Sequence, residues 1–171
     1  MKNCLIVIDM QNDFITGSLG SKEAEAIVSH VKEGIKKAID DGEDIFFTKD
    51  THYENYMDTK EGFFLPVKHC IEGTFGHEIC DELKPFEKNA KNIFIKNTFG
   101  FKDFPKYLED YDKITIIGLC TDICVVSNAI LIKTFYPEKD IFVEKDLCAG
   151  SSVNNHIAAL DVMKACHIII I

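Results

Sequence analysis

The sequence has 171 residues, which suits one domain and is enough to bury a core without disulfides. Its hydrophobic content of 46% is ordinary for a globular protein, and no apolar run approaches the roughly 20 residues that span a bilayer. The net charge of −9 argues against nucleic acid or an anionic membrane as a partner. We therefore expect a single domain over residues 1–171 that binds neither.

Six short apolar runs predict buried strands, because β-branched and aromatic residues follow one another with little polar interruption. In chain order they are residues 4–8, 44–47, 92–95, 113–117, 140–143 and 167–170. Helical periodicity is found between several of them, at residues 21–41, 122–135 and 152–165. Strands that alternate with helices predict an α/β fold, with a mainly parallel six-stranded sheet in a three-layer α/β/α arrangement.

Polar residues stand where four of these strands end. Asp9 follows the first strand, Asp50 and His52 the second, Lys96 the third, and Cys124 comes shortly after the fourth. Ligands of open parallel sheets bind beyond the carboxyl ends of the strands. We therefore expect these side chains to share one crevice.

Cys124 is the candidate nucleophile of this group. It would lie in the first turn of the next helix, where the helix dipole favours a thiolate and free backbone N–H groups could stabilise an oxyanion. A cation at Lys96 would lower the thiol pKa further, and Asp9 could accept the thiol proton. Taken singly, the three residues also fit a buried helix cysteine, a solvated lysine and a turn-capping aspartate.

A second group, Asp50, His52 and His69, belongs to the long irregular stretch at residues 50–76. Two imidazoles and a carboxylate suit a divalent zinc, iron or manganese ion with positions left for water or substrate. Glu61 in the same stretch could complete or orient the set. Histidines are common in loops, so the spacing alone leaves a metal site and an ordinary polar loop both open.

The seven cysteines are odd in number and contain no CxxC pair, which is not typical of a disulfide framework or a zinc knuckle. We expect a reduced, cytoplasmic protein. A redox role for Cys120 and Cys124 is not favoured, because their spacing differs from that of the usual dithiol motif.

Several segments together resemble one known family. In order along nearly the whole chain, the sequence is similar to the nicotinamidase and isochorismatase-like hydrolases in the segments IVIDMQNDF, FFTKDTH, HCIEGTFGHEI, FIKNTF, GLCTDICV and EKDLCAGSSVNNHIAALDVM. The resemblance implies an Asp–Lys–Cys triad that falls on Asp9, Lys96 and Cys124. It implies one divalent metal, zinc in the first place and iron or manganese as alternatives. The implied metal ligands are Asp50, His52 and His69, with Glu61 joining them in some members.

The resemblance also describes the substrate pocket. Phe14 matches an aromatic residue that lines it, the peptide between Leu119 and Cys120 would be cis, and the backbone N–H groups of Cys120 and Cys124 would form the oxyanion hole. The chain departs from the family pattern at Leu65, where a Trp or Phe is usual, and it has no Trp at all. It also has one residue more than usual between Pro66 and His69.

The resemblance implies a cysteine amidohydrolase that converts nicotinamide to nicotinate and ammonia through a thioester, in NAD salvage, and that forms a homo-oligomer. The partner would be a small-molecule amide. The departure at Leu65 leaves open a related cysteine hydrolase acting on another small amide or carbamoyl compound. A third alternative is a module of the same fold that binds ligands without catalysis, which an intact triad does not favour.

Overall fold

The protein is described here as a computed structural model that covers residues 2–171. One six-stranded sheet, in the order β3–β2–β1–β4–β5–β6, has only parallel neighbours. The strands are β1 Asn3–Ile8, β2 Asp44–Asp50, β3 Ala90–Lys96, β4 Lys113–Leu119, β5 Asp140–Ala149 and β6 Ile169–Ile170. The predicted parallel α/β fold is confirmed.

The strand limits differ from the prediction mainly at the carboxyl ends. Asp50 and Lys96 are the last residues of β2 and β3, paired with each other, and do not follow the strands as expected. The apolar pattern stops before these charged residues, although their backbone continues the hydrogen-bonded ladder of the strand. At the other sheet edge β6 is shorter than predicted, because His167 has a φ of 61°, which is not strand geometry.

Helices and turns connect the strands. The helices are α1 Asn12–Ile15, α2 Lys22–Asp40, α3 Lys60–Phe64, α4 Pro105–Leu108, α5 Val126–Phe135 and α6 Val153–Ala165. Three 3₁₀ turns lie at Glu54–Asp58, Phe75–His77 and Lys84–Asn89, and a π-helical turn lies at Thr121–Val125. The hydroxyls of Ser21 and Ser152 cap the first turns of α2 and α6. Within residues 2–171, no helix combines the length and apolar character needed to cross a membrane.

Both faces of the sheet are covered, which explains why its strands are continuously apolar. On one face α2 packs Ile27, Val31 and Ile35 against side chains of β1 and β2. On the other face α5 and α6 contribute Ile132 and Met163 to a second core cluster. These two clusters give the predicted three-layer arrangement.

The chain leaves the sheet in opposite directions on either side of the β1–β4 pair, so this pair is the switch point of the sheet. Gly118 in β4 has a φ of 116°, and a Cβ there would lie 2.2 Å from the carbonyl oxygen of Ile8 in β1. Only glycine allows this close approach. Asp9 follows β1 directly, and Cys124 follows β4 through one turn, so Gly118 fixes the separation of the segments that carry them.

We expect Gly118→Ala to lower the free energy of unfolding by at least about 3 kcal/mol, because it adds a backbone clash to an unfavourable φ. Gly42→Ala is the control, since Gly42 also has a positive φ of 75° but has no atom within 4 Å of the added Cβ. It should cost only about 1 kcal/mol. Urea unfolding of both variants measures these losses. Equal losses of unfolding free energy would show that the close approach of β1 and β4 does not require glycine at position 118.

Candidate active site

The Lys96 ammonium lies at the centre of the site. Lys96 ends the edge strand β3, and its side chain must cross β2 to approach β1, two strands or about 10 Å away. Its Nζ lies 2.6 Å from Asp9 Oδ2, 3.0 Å from Asp50 Oδ1 and 3.4 Å from Cys124 Sγ. The ammonium donates hydrogen bonds to Asp50 and Cys124, and it forms a close ion pair with Asp9.

Lys96 is only 2% exposed, so its charge depends on these partners. Burial by itself would lower the pKa of Lys96, but Asp9, Cys124 and Asp50 outweigh it and raise that pKa well above its usual value. The lysine is therefore held as a cation. It joins the two groups of residues that the sequence presented separately.

Asp9 is fully buried at the end of β1, with a φ of 47° that aspartate tolerates better than most residues. Thr48 of β2 fixes it twice. The Thr48 hydroxyl donates to Asp9 Oδ1 at 2.6 Å, and the Asp9 backbone N–H donates to Thr48 Oγ1 at 3.1 Å. Burial raises the pKa of Asp9, and the Lys96 charge opposes this only in part. The carboxylate is thus a stronger base than an exposed aspartate.

Cys124 lies in the π-helical turn Thr121–Val125, which leads directly into α5. The peptide between Leu119 and Cys120 is cis, as the family resemblance implies. Burial raises the pKa of the Cys124 thiol well above its usual value, the Asp9 carboxylate adds to the increase, and Lys96 offsets it only in part. Together these protein groups favour the protonated thiol over the thiolate expected from the helix start and Lys96, because desolvation exceeds the effect of the nearby cation.

Asp50, His52, Glu61 and His69 lie together, with one ligand atom from each within 4.8 Å of all the others. His52 Nε2 is 2.9 Å from Asp50 Oδ2 and 3.6 Å from Glu61 Oε1. His69 Nε2 is 3.6 Å from Asp50 Oδ2 and 3.8 Å from Glu61 Oε1. Burial would raise the pKa of Asp50, but the hydrogen bond with His52, the nearby His69 ring and the Lys96 charge outweigh it and lower that pKa below its usual range.

The chemistry of these donors fits a divalent metal ion. His69 Nδ1 is 2.8 Å from the carbonyl oxygen of Val67, which can only accept, so the neutral ring carries its proton on Nδ1 and directs the Nε2 lone pair toward the cluster. Such a backbone contact is typical of metal-binding histidines. Two imidazole nitrogens and two carboxylates are a common ligand set for zinc, iron or manganese.

Three residues outside the predicted set hold these ligands in place. Gln11 is fully buried and brackets the backbone of Asp50, donating to its carbonyl at 2.8 Å and accepting from its N–H at 2.7 Å. Tyr56 packs its ring 4.8 Å from that of His52 and 5.0 Å from that of His69. Asp13 accepts from the backbone N–H that follows His69. Gln11 and Asp13 lie in the IVIDMQNDF segment, which was the only signal for them.

Sequence reasoning also missed Asn128 and Phe99. Asn128 is fully buried in α5, and its amide donates to the carbonyls of Cys124 at 2.7 Å and Phe99 at 3.1 Å. Its Oδ1 accepts from the N–H of Phe101 at 2.8 Å. It thereby ties the loop after Lys96 to the segment that carries Cys124. A lone asparagine in a helical pattern gives no sign of such a contact.

Cys124 and three of the four clustered ligand residues border one cavity of about 320 Å³, which we name the reactive cavity. Cys124 and Cys120 lie on one side of it, and Asp50, Glu61 and His69 line it near the ligand cluster. Its further lining includes Phe14, Leu65, Phe99 and Ile123. Leu65, where the family usually has an aromatic residue, therefore does line the cavity, together with two phenylalanines.

The sequence matches the Isochorismatase domain family over residues 3–171, and the chain belongs to this family. The pyrazinamidase/nicotinamidase of Streptococcus mutans UA159 has the same fold, with a TM-score of 0.87 and 30% identity over 99% of this chain and 100% of that one. The nicotinamidase of Saccharomyces cerevisiae is 28% identical over 74% of this chain and 79% of its own length. The predicted place among nicotinamidase-type amidohydrolases of this family is confirmed.

A further relative carries a metal. The pyrazinamidase of Pyrococcus horikoshii, solved in complex with zinc, has a TM-score of 0.84 and 27% identity. The alignment covers 100% of this chain and 99% of that one.

We expect Lys96→Met to lower the free energy of unfolding by about 3–5 kcal/mol, because it leaves two buried carboxylates without their shared cation. Lys91→Met makes the same change on the same strand. Lys91 pairs with Asp44 at 2.6 Å but is half exposed, so its loss should cost at most about 1 kcal/mol. Urea unfolding compares the two variants, and a similar cost for both would contradict the central role of the buried ammonium.

We expect His69→Ala to weaken zinc binding by at least about 100-fold, since it removes one ligand from the cluster. His77→Ala is the control, because the His77 ring is also buried and contacts the Thr51 hydroxyl, but His77 is not one of the four clustered residues. Titration of the metal-stripped protein against a chromophoric chelator gives both affinities. If the two variants bind zinc alike, the metal does not occupy this cluster.

Proposed function

We propose that the chain hydrolyses nicotinamide to nicotinate and ammonia, with Asp9, Lys96 and Cys124 as catalytic residues. One observation carries the proposal: a buried ammonium contacts both the thiol and a buried carboxylate beside a cavity that also reaches the metal-ligand cluster. The similarity to nicotinamidases supports nicotinamide as the substrate. The reaction would place the chain in NAD salvage.

The first step moves a proton within the triad. Burial raises the pKa of both Cys124 and Asp9, so the thiol is neutral at rest and its neighbour is a strengthened base. Lys96 stays charged and cannot act as that base. Asp9 therefore takes the thiol proton as sulfur attacks, which avoids an isolated thiolate in a buried site.

The sulfur of Cys124 then forms a bond to the amide carbon. The backbone N–H groups of Cys120 and Cys124 would donate to the oxygen that becomes negative. Asp9 returns its proton to the amide nitrogen, the C–N bond breaks, and ammonia leaves a thioester behind. Water deprotonated by Asp9 attacks this thioester, which releases nicotinate and restores the thiol.

Asp50, His52, His69 and Glu61 would hold the divalent metal, and we propose zinc because a similar pyrazinamidase was solved with it. When bound, the ion supplies a Lewis acid for the pyridine nitrogen, which orients the ring. The protein's own contribution is a cavity wall in which Phe14 and Phe99 can face an aromatic ring.

A second candidate is a related amidase for another small amide or carbamoyl compound. The observation that favours it is Leu65, which gives the cavity an aliphatic side chain where the family usually offers an aromatic one. Ammonia release from nicotinamide, pyrazinamide and aliphatic carbamoyl compounds distinguishes the two, since only the second candidate accepts a substrate without a ring. A homo-oligomer and a cytoplasmic location stay predictions.

The proposed function predicts that Cys124→Ala lowers ammonia release from nicotinamide by on the order of 10⁴-fold or more, since the nucleophile is lost. Cys80→Ala is the matched control, because Cys80 is also a buried free cysteine but does not line the reactive cavity. It should retain the activity of the unmodified chain.

Both variants are assayed with zinc supplied and metal content measured on the same samples. Ammonia release that persists in Cys124→Ala would rule out the thioester route. A chain with full zinc content that releases no ammonia from nicotinamide would exclude nicotinamide as the substrate.

A further inference from the structure

We propose that a second cavity beside the reactive one binds an uncharged, apolar extension of the substrate, so that the site accepts aromatic amides larger than nicotinamide. We name it the outer cavity. The inference rests on the proposed function in assuming that the substrate is an amide. The binding of the extension is argued from other residues, those that line the outer cavity.

The outer cavity has a volume of about 820 Å³ and lies between α3, the loop after β3 and the start of the nucleophile helix. Four residues line both cavities, namely Glu61, Leu65, Phe99 and Ile123. The two cavities therefore adjoin along these residues. A substituent on a ring held near Cys124 would extend along this shared wall into the outer cavity.

Three of the polar residues that line the outer cavity, Asn97, Ser127 and Asp122, are already paired within the protein. The Asn97 amide donates to the Thr51 carbonyl at 2.9 Å, and the Ser127 hydroxyl donates to the Ile123 carbonyl at 2.6 Å. Both carboxylate oxygens of Asp122 accept from Ser151, at 2.8 and 2.6 Å. A hydrogen-bonding ligand would gain little from these three residues, because their hydrogen bonds are already made.

Several apolar side chains of the same wall, in contrast, are exposed to solvent. Phe64 is 82% exposed, Phe99 44% and Leu65 37%, and all three border the outer cavity. Contiguous apolar surface that stays exposed beside a cavity is typical of a ligand-binding site. An alkyl or aryl substituent would cover it and gain the free energy of burying apolar area.

The test uses two thiol reagents, iodoacetamide and N-benzyl iodoacetamide, which react with cysteine in the same way and differ only in the apolar extension. Labelling rates are measured at Cys124 and, in the same molecule, at Cys166, which is exposed and serves as the internal reference. Thr98→Trp fills the outer cavity from an exposed position that lines it. Thr134→Trp makes the same change on the exposed surface of α5.

We expect the ratio of benzyl to unsubstituted labelling to be at least about tenfold higher at Cys124 than at Cys166. Thr98→Trp should reduce the ratio at Cys124 to that of Cys166, whereas Thr134→Trp should leave it unchanged. A ratio at Cys124 that does not exceed the reference, or that Thr98→Trp does not change, overturns the proposal.

Because alkylation needs no turnover of an amide, this result is independent of the substrate assay. If the chain releases no ammonia from nicotinamide but Cys124 prefers the benzyl reagent, the proposed function is rejected and the proposed role of the outer cavity is retained. If the chain hydrolyses nicotinamide but Cys124 shows no such preference, the proposed function is retained and the proposed role of the outer cavity is rejected.

Discussion

The whole site depends on one buried ammonium. Lys96 has less than a tenth of its surface in water, and it lies against two carboxylates and a thiol from three other segments. A buried charge of this kind is tolerated only when its partners are complete, so Asp9, Asp50 and Cys124 cannot move apart independently. The same contacts connect the proposed catalytic residues to the candidate metal ligands through Asp50. A substitution in either group of residues therefore alters the surroundings of the other group.

The parallel sheet makes this arrangement possible. Four neighbouring strands, β3, β2, β1 and β4, deliver Lys96, Asp50, Asp9 and, after a π-helical turn, Cys124 to one edge. The strand spacing of about 5 Å is close enough for a lysine at the sheet edge to reach past β2. Gly118 allows β1 and β4 to approach at the switch point, where ligands of such sheets bind.

The electrostatics of the site differ from what its residue types suggest. A cysteine at a helix start beside a lysine is expected to be acidic, yet burial and the Asp9 carboxylate raise the pKa of Cys124. Desolvation is the largest cause, and the thiol also faces two carboxylates against one cation. The arrangement favours transfer of the thiol proton to Asp9 during attack over storage of a thiolate. Sequence alone gives the types of these groups and not their number around the sulfur.

The sequence by itself determined the order of strands and helices, the parallel sheet and the candidates Asp9, Lys96 and Cys124, because apolar runs and strand-end polar residues are local signals. It could not show that Asn128 ties the loop of Phe99 to the nucleophile helix, or that Gln11 holds Asp50. Those contacts join residues that are 29 and 39 positions apart in the sequence. Only the tertiary structure decided them, since hydrogen-bond partners and desolvation depend on which distant segments pack together and not on the residues themselves.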